Sequence, residues 1–139
     1  AVVGILIKKK GACLKVEADG ELVHEGKGLL TAVANGSYCG GGVKSSPRAS
    51  LKDGLMDLNI IYNVSRREFV SKFPSYAKGT HLGLEDIDRL LLFKQCRKVV
   101  ITPLEESMRL CTDGEITDAG KVIMEAVPQA IDIMIPQIL

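Results

Sequence analysis

The stretch LLTAVANGSYCGGG, residues 29–42, carries a continuous apolar run directly into an Asn-Gly turn and a glycine triplet. An unbroken apolar run predicts a strand covered on both faces, and Asn-Gly is a turn signal. Upstream, residues 13–18 alternate apolar and charged side chains, which indicates a half-buried strand. Asp19-Gly20 then predicts a hairpin turn, because glycine reaches positive φ without steric cost. This half of the chain is therefore predicted to be β-structure joined by tight turns.

The rest of the chain is predicted to contain further short strands and one main helix. The helix begins at Ser65, because residues 65–68 (Ser-Arg-Arg-Glu) match a capping box. Pro74 should kink or shorten this helix, and Gly79 should end it. Residues 84–92 fit either a short helix or the start of a strand. The other predicted strands are 55–64, 96–102, 108–112, 122–127 and 131–135.

About eight short strands, with a turn roughly every ten residues, predict a mostly β fold with one main helix, either a β-sandwich or an open barrel. Residues 1–10 fit the tail of a helix or strand that ends at Gly11. At 139 residues the chain is long enough for one domain with a hydrophobic core and too short for two.

Composition argues against several classes of function. The net charge of +1 gives no sign of a nucleic-acid partner, and the basic run 8–10 is interpreted as a solvated element end. Aromatic residues are only 4% and tryptophan is absent, which argues against a carbohydrate-binding or single-strand nucleic-acid platform. We recognise neither a signal peptide nor an apolar stretch of about 18 residues, and we expect a domain that neither spans a membrane nor is secreted. The cysteines at 13, 39, 96 and 111 lack metal or redox spacing and are predicted to be buried free thiols in a reducing cytoplasm.

Three Asp-Gly pairs carry the candidate chemistry, at 19–20, 53–54 and 113–114, and two of them continue as Asp-Gly-Glu. Taken alone, each is most often a turn. A turn aspartate that faces a substrate can also accept the proton of a nucleophilic hydroxyl or hold magnesium. The triplet Gly40–Gly42 lacks the phosphate-loop and dinucleotide spacings and is interpreted as a bulge or a close backbone approach. His24 and His81 stand alone and are assigned no role.

The order of these motifs is more specific than any one of them. The run 29–42 is followed by Leu-Lys-Asp-Gly-Leu-Met-Asp at 51–57, then by a helix and a strand, by Asp-Gly-Glu at 113–115, and by an apolar run from 127 that ends at Pro136. This series resembles the C-terminal domain of the diacylglycerol kinase family of lipid kinases, which also includes sphingosine and ceramide kinases. The resemblance covers nearly the whole chain.

The resemblance implies a fold and a reaction. The family has the two-domain plan shared with NAD kinases, in which a C-terminal β-sandwich follows an α/β domain that binds ATP through a Gly-Gly-Asp-Gly-Thr loop. Residues 1–139 would form the β-sandwich, and the active site would lie in the cleft between the two domains. The reaction transfers the γ-phosphate of ATP, with Mg²⁺, to a lipid hydroxyl.

The resemblance also implies roles for individual residues. Asp113 matches the general base, and Glu115 matches its acidic partner near the nucleotide and metal. Asp53 matches an aspartate of a structural magnesium site, together with the backbone carbonyls of Ser50 and Leu55. The first Asp-Gly-Glu, at 19–21, falls where the family has an ordinary hairpin. The residues that match the substrate and interface loop are Asn35, Gly36, Gly40, Gly41 and Gly42.

No Gly-Gly-Asp-Gly-Thr loop occurs in the sequence. We therefore expect a fragment of a longer protein or one product of a split gene, which neither binds ATP tightly nor phosphorylates lipid without its N-terminal ATP-binding domain. Further expected partners are a lipid substrate and the membrane surface, reached peripherally from the cytoplasm, with no nucleic acid. Exposed apolar surface at the domain interface would also favour a homodimer.

Two other functions stay open. The chain could be the matching domain of a nicotinamide-nucleotide kinase, or a β-sandwich interaction module in which every Asp-Gly is only a turn. The basic residues of the helix 66–78 could face anionic lipid, although a solvated helix face is the commoner use of such residues. The acceptor lipid and the oligomeric state are not readable from the sequence.

Overall fold

The structure, a computed structural model, describes residues 11–132. The predictions for residues 1–10 and for the end of the last strand, 133–135, lie outside this range. The helices are α1 (Arg66–Lys78) and α2 (Ile87–Leu90), with a 3-10 turn at His81–Gly83 between them. The strands are β1 (Ala12–Ala18), β2 (Glu21–Ala34), β3 (Met56–Tyr62), β4 (Leu91–Cys96), β5 (Lys98–Pro103), β6 (Met108–Thr112), β7 (Glu115–Ala119) and β8 (Val122–Glu125).

Six of these strands form one antiparallel sheet in the order β4-β3-β2-β1-β5-β8. Only Arg97 separates β4 from β5, although four strand-to-strand steps lie between them in that order. In a flat sheet those steps would span about 19 Å. Two Cα–Cα steps reach at most about 7.6 Å, so the sheet has to coil until β4 and β5 meet at a corner. The mostly β, sandwich-like fold predicted from the sequence is confirmed.

The β1–β2 turn closes this corner. The Asp19 carboxylate accepts the backbone N–H groups of Arg97 (3.0 Å) and Lys98 (2.9 Å) through a single oxygen, Oδ1. The Asp19 N–H in turn donates to the Lys98 carbonyl at 2.9 Å. Lys94 forms an ion pair with Glu21, with 2.7 Å between Nζ and Oε2. The first Asp-Gly-Glu is thus a hairpin, as predicted, and it also holds two distant strands together.

The main core lies inside the coil. Side chains of β1 alternate as predicted, and Leu14, Val16 and Ala18 point into this core. The inward face of β3 supplies Leu58 and Ile60, both fully buried. The remaining buried members are Met56, Cys96, Val99, Ile101 and Met108.

A second apolar cluster lies between α1 and the sheet. Its buried members come from β2, β3, the loop before α1, α2 and the start of β4, and α1 covers them with Phe69 and Tyr76. A cavity of about 40 Å³ remains here, lined mainly by aliphatic and aromatic side chains.

Helix α1 confirms the predicted capping box. The Ser65 hydroxyl accepts the Glu68 N–H (3.2 Å), and the Glu68 carboxylate accepts the Ser65 N–H (3.1 Å). These bonds to Ser65, with Arg89 beside them, lower the pKa of Glu68 to about 2. Gly79 ends the helix in the left-handed conformation, as predicted. Pro74 does not end it early, because the carbonyl that would have paired with the missing N–H belongs to Val70, which lies on the solvent side.

Three other predictions need correction or refinement. The strand predicted at 96–102 is β5 but begins two residues later, because β4 ends at Cys96 and the chain turns at Arg97. Residues 84–92 contain both α2 and the start of β4. Burial is confirmed for Cys96 but is wrong for Cys39 and Cys111, which lie in an exposed loop and an exposed strand. No helix among the described residues is long and apolar enough to cross a membrane.

His81 is the buried titratable side chain of the second cluster. It is 1% exposed, its ring centroid lies 4.7 Å from that of Tyr76, and neither ring nitrogen has a hydrogen-bond partner among the described residues. Burial lowers the pKa of His81. The Ser75 carbonyl offsets part of this effect, but it already accepts the Thr80 N–H at 2.9 Å. Burial therefore favours the neutral form of His81.

We predict that folding stability decreases as the pH is lowered from about 7.5 to about 5.5, because an unfolded histidine, with a pKa near 6.5, binds a proton that folded His81 resists. One such group contributes at most about 1.4 kcal/mol per pH unit. Urea unfolding across this range measures the slope. His81→Phe should lose most of it, whereas the control His24→Phe should keep it. An unchanged slope in His81→Phe would contradict the assignment.

Candidate functional site

The two Asp-Gly-Glu turns have nearly the same backbone. Asp19 and Asp113 both adopt positive φ (51° and 49°), as do the glycines that follow them (85° and 99°). Each pair is the two-residue loop of a hairpin, closed by Ala18 and Glu21 in one case and by Thr112 and Glu115 in the other. Positive φ at both loop residues is the geometry that suits the right-handed twist of paired strands. Sequence and local geometry therefore do not distinguish the two turns.

Their side chains have different surroundings. The Asp19 carboxylate accepts two backbone N–H groups at the β4–β5 corner. Asp113 and Glu115 are exposed, and within the described range no hydrogen bond or ion pair engages either carboxylate. Both carboxylates of the second turn are therefore available to a ligand or to another protein surface.

The second turn lies at the tip of a two-stranded sheet, β6–β7, which we call the arm (residues 108–119). Met108 and Ala119, at its base, contact the main core, and Leu110 is half-buried. All its other residues are exposed. An isolated two-stranded hairpin is only marginally stable in water, so the arm relies on its base for order.

The predicted loop and metal residues lie together in one segment that connects β2 to β3 (residues 35–55, the connecting segment). Within it, Cys39 and Val43 exchange two backbone hydrogen bonds of 2.9 and 3.1 Å around the glycine triplet. Gly41 and Gly42 have positive φ, and an added Cβ at any of the three glycines would meet nothing within 4 Å. The interpretation as a bulge or close approach is wrong: residues 39–43 form a projecting turn, which we call the glycine loop.

Asp53 lies near the end of the connecting segment and is exposed. Its Oδ1 accepts the Leu55 N–H at 2.9 Å, which leaves the other carboxylate oxygen free. Within residues 11–132 there is no group of three or more Asp, Glu, His or Cys side chains placed to hold a metal. A cation at this position would be held by one carboxylate, backbone carbonyls such as those of Ser50 and Leu55, and water, a ligand set that Mg²⁺ accepts.

The candidate residues form two groups. Asn35, Gly36, the glycine loop and Asp53 belong to the connecting segment, whereas Asp113 and Glu115 belong to the arm. No hydrogen bond or ion pair among the described residues joins the two groups. Roles for these residues therefore stay predictions.

Sequence reasoning missed the polar groups buried beneath the connecting segment. Asp57 and Asn59, on the face of β3 opposite the main core, are each 1% exposed. Asn59 Nδ2 donates to the Ser46 hydroxyl at 3.0 Å, and Gln95 Nε2 donates to Asp57 Oδ1 at 3.0 Å. Burial raises the pKa of Asp57, an effect that the Gln95 hydrogen bond opposes and the Asp53 charge adds to. The available signal was the pair of polar residues at alternate positions, 57 and 59, in an otherwise apolar strand.

Comparison with known proteins identifies the family. Residues 3–135 match the family described as the YegS C-terminal NAD kinase beta sandwich-like domain, and the chain belongs to it. This family is part of the diacylglycerol kinase group that the motif series had indicated.

Two curated relatives are named diacylglycerol kinase. The protein of Bacillus subtilis (strain 168) is 29% identical over 102 residues, which cover 73% of this chain and 32% of the relative. The protein of Mycobacterium tuberculosis (strain ATCC 25618 / H37Rv) is 26% identical over 108 residues, which cover 78% and 33%. The chain thus spans about a third of the length of these relatives.

The fold matches a solved structure. A crystal structure of a diacylglycerol kinase from Bacillus anthracis str. Sterne aligns with 87% of this chain and 42% of its own, with a TM-score of 0.63 and 18% identity. At that identity the match supports the fold alone.

The twin turns allow a matched test of their side chains. Asp19→Ala and Asp113→Ala impose the same left-handed conformation on alanine, but only the first removes hydrogen bonds to backbone N–H groups. We expect Asp19→Ala to lower the free energy of unfolding by about 1–3 kcal/mol more than Asp113→Ala. Urea unfolding of both variants measures the difference. Equal losses would show that the corner bonds contribute nothing to stability.

Amide hydrogen exchange tests the independence of the arm. The arm is held only at its base, whereas β1 of the β1–β2 hairpin is paired on both sides, with β2 and with β5. We therefore expect amides of residues 109–118 to exchange at least about tenfold faster than those of β1, because local opening exposes them without global unfolding. Similar protection in the two hairpins would contradict this expectation.

Proposed function

We propose that the chain is the lipid-side domain of a kinase that transfers the γ-phosphate of ATP to the hydroxyl of a diacylglycerol-like lipid. The observation that carries the proposal is the pair of exposed carboxylates, Asp113 and Glu115, which have no partner on the described part of the chain. The twin turn, by contrast, uses its aspartate to close the fold. Family membership and the names of the curated relatives also support a kinase function.

In the proposed mechanism, Asp113 accepts the proton of the lipid hydroxyl as its oxygen attacks the γ-phosphorus and the bond to the ADP oxygen breaks. Such a base has to lie within hydrogen-bond reach of the hydroxyl. An exposed turn at the tip of the arm can reach a substrate that is held by a second domain. Glu115, directly after the turn, would lie beside the nucleotide and its metal.

Magnesium enters the proposal in two places. Glu115 would lie beside the ion that accompanies ATP, which would supply positive charge against the phosphates. The Asp53 turn, with the Ser50 and Leu55 carbonyls, could hold a second, structural ion. There the chain's own residues order the end of the connecting segment, and the Leu55 N–H bond already fixes the Asp53 carboxylate.

ATP itself would be bound mainly by an N-terminal domain with the Gly-Gly-Asp-Gly-Thr loop. The glycine loop and Asn35 would face that domain. The lipid would be reached peripherally, at the membrane surface. We expect this chain alone to lack kinase activity, since the residues that hold ATP would belong to the other domain.

Asp113→Asn tests the proposal in a protein that contains both domains. Asparagine tolerates the left-handed conformation but cannot act as a base, so turnover should fall by about 10²–10⁴-fold while thermal unfolding stays unchanged. Asp118→Asn, an exposed position on the same arm, is the matched control and should keep full activity. Phosphorylation of diacylglycerol in vesicles with labelled ATP measures the rate.

Two outcomes would reject the proposal. Full activity in Asp113→Asn would exclude the role of general base. Absence of ATP-dependent phosphorylation in the unmodified two-domain protein would favour an interaction module instead.

A further inference from the structure

We propose that Asn35 is a site of spontaneous deamidation, in which the Gly36 nitrogen attacks the Asn35 side chain and water converts the product to aspartate and isoaspartate. The modification depends only on this chain and goes beyond the proposed function. Its consequence for catalysis rests on the proposed function, which places Asn35 against the nucleotide-binding domain. Separate experiments test the two parts.

The reaction uses only the chain and solvent water. The main-chain nitrogen of Gly36, after losing its proton, forms a bond to Cγ of Asn35. The bond between Cγ and the side-chain nitrogen breaks, and that nitrogen leaves as ammonia with a proton from solvent, which closes a five-membered succinimide ring. Water then opens the ring at one of its two carbonyl groups and gives aspartate or isoaspartate. Either product carries a carboxylate where the chain had a neutral amide.

The structure leaves both reacting groups of this pair free. Asn35 is exposed, and among residues 11–132 no hydrogen bond engages its side-chain amide. The Gly36 N–H likewise donates to no group in that range. An added Cβ at Gly36 would meet nothing within 4 Å, so there is open space beside the attacking nitrogen. The reaction therefore has no hydrogen bond to break and no neighbour to displace at this position.

The other two asparagines of the sequence are protected in different ways. Asn59 is 1% exposed, and its Nδ2 donates to the Ser46 hydroxyl at 3.0 Å. Asn63 is exposed, but the nitrogen that would attack it belongs to Val64 and donates to the Tyr62 carbonyl at 2.7 Å. The branched Val64 side chain also crowds that nitrogen. The fold thus singles out the asparagine of the Asn-Gly turn.

The modified residue would lie between two anchored points. On one side, Ala34 pairs with Asp57 at the end of β2. On the other, the Ser37 carbonyl accepts the Ser46 N–H at 3.2 Å, and the Ser37 hydroxyl donates to the Ala49 carbonyl at 3.3 Å. Isoaspartate adds a methylene group to the main chain between these points. The extra length has to be absorbed by the turn that leads into the glycine loop.

Incubation of the purified chain at neutral and at mildly alkaline pH tests the modification. Mass spectrometry of the tryptic peptides 28–44 and 53–66 separates Asn35 from the other two asparagines. We expect the first peptide to convert at least about tenfold faster than the second, because the second is protected by folded structure. The rate should rise with pH, since the attacking nitrogen has to lose a proton.

The identity of the products tests the route. A succinimide opens at either carbonyl, so both isoaspartate and aspartate should form, whereas direct hydrolysis of the side chain gives aspartate alone. Aspartate as the sole product would overturn the proposed attack by Gly36. Conversion of Asn35 no faster than that of Asn63 would overturn the assignment of the site.

Gly36→Ala is the variant that isolates the chemistry. The backbone of Gly36 does not have positive φ and the space beside it is open, so alanine fits without strain. The added Cβ crowds the nitrogen, and deamidation should slow at least about tenfold with urea unfolding unchanged. Gly40→Ala, at another open glycine without positive φ, is the matched control and should leave the Asn35 rate unchanged. An unchanged rate in Gly36→Ala would contradict the proposal.

Asn35→Asp in the two-domain protein tests the consequence. A carboxylate facing the nucleotide should repel the phosphates of ATP and raise the KM for ATP at least about threefold. Asn63→Asp, at an exposed position between β3 and α1, is the control and should keep the KM. An unchanged KM in Asn35→Asp would overturn the consequence for catalysis. Asp113→Asn reports on the proposed function independently, because it changes turnover without touching this turn.

Discussion

The fold depends on the single-residue connection at Arg97. Because β4 and β5 stand on opposite sides of the three central strands, that connection exists only in a sheet coiled far enough for its two flanks to meet. Coiling turns one face of β1, β3 and β5 inward and creates the main core. The same closure leaves the outer face of β3 to be covered by the connecting segment, which is why that strand is buried on both sides.

The two Asp-Gly-Glu turns show that the tripeptide determines the backbone conformation but not the role of the aspartate. Asp-Gly-Glu specifies a backbone conformation, and the structure gives it the same conformation twice. What the aspartate then does is decided by residues far away in the chain. Asp19 meets the amides of Arg97 and Lys98, 78 and 79 positions along, whereas Asp113 meets none among the described residues. A tripeptide motif therefore predicts a turn well and a role poorly until its surroundings are known.

The fold class could be predicted because it rests on local, repeating signals. Alternation in residues 13–18, the capping box at Ser65 and the terminator Gly79 all describe interactions within a few residues, and all are confirmed. The break at Arg97 could not be predicted in this way, because the contacts at this corner are to Asp19, 78 positions away in the chain.

The motifs of the candidate site could be recognised in the sequence, but the buried residues beneath them could not. Asn35, the glycine triplet, Asp53 and Asp113 carry recognisable turn chemistry. Ser45, Ser46 and Asn59 look like ordinary surface residues in sequence. Their burial follows from the way the connecting segment lies across β3, which is a long-range property of the folded chain.

Cys39 and Cys111 were predicted to be buried but are exposed, so they can be labelled chemically. Cys39 begins the glycine loop and Cys111 lies on the arm two residues before Asp113, whereas Cys96 is enclosed in the core. Thiol-reactive dyes should therefore label both candidate regions before they reach Cys96. A fluorophore or spin label attached to native Cys39 or Cys111 would report the approach of a second domain. Half-exposed Cys13 should be replaced first, so that it does not react as well.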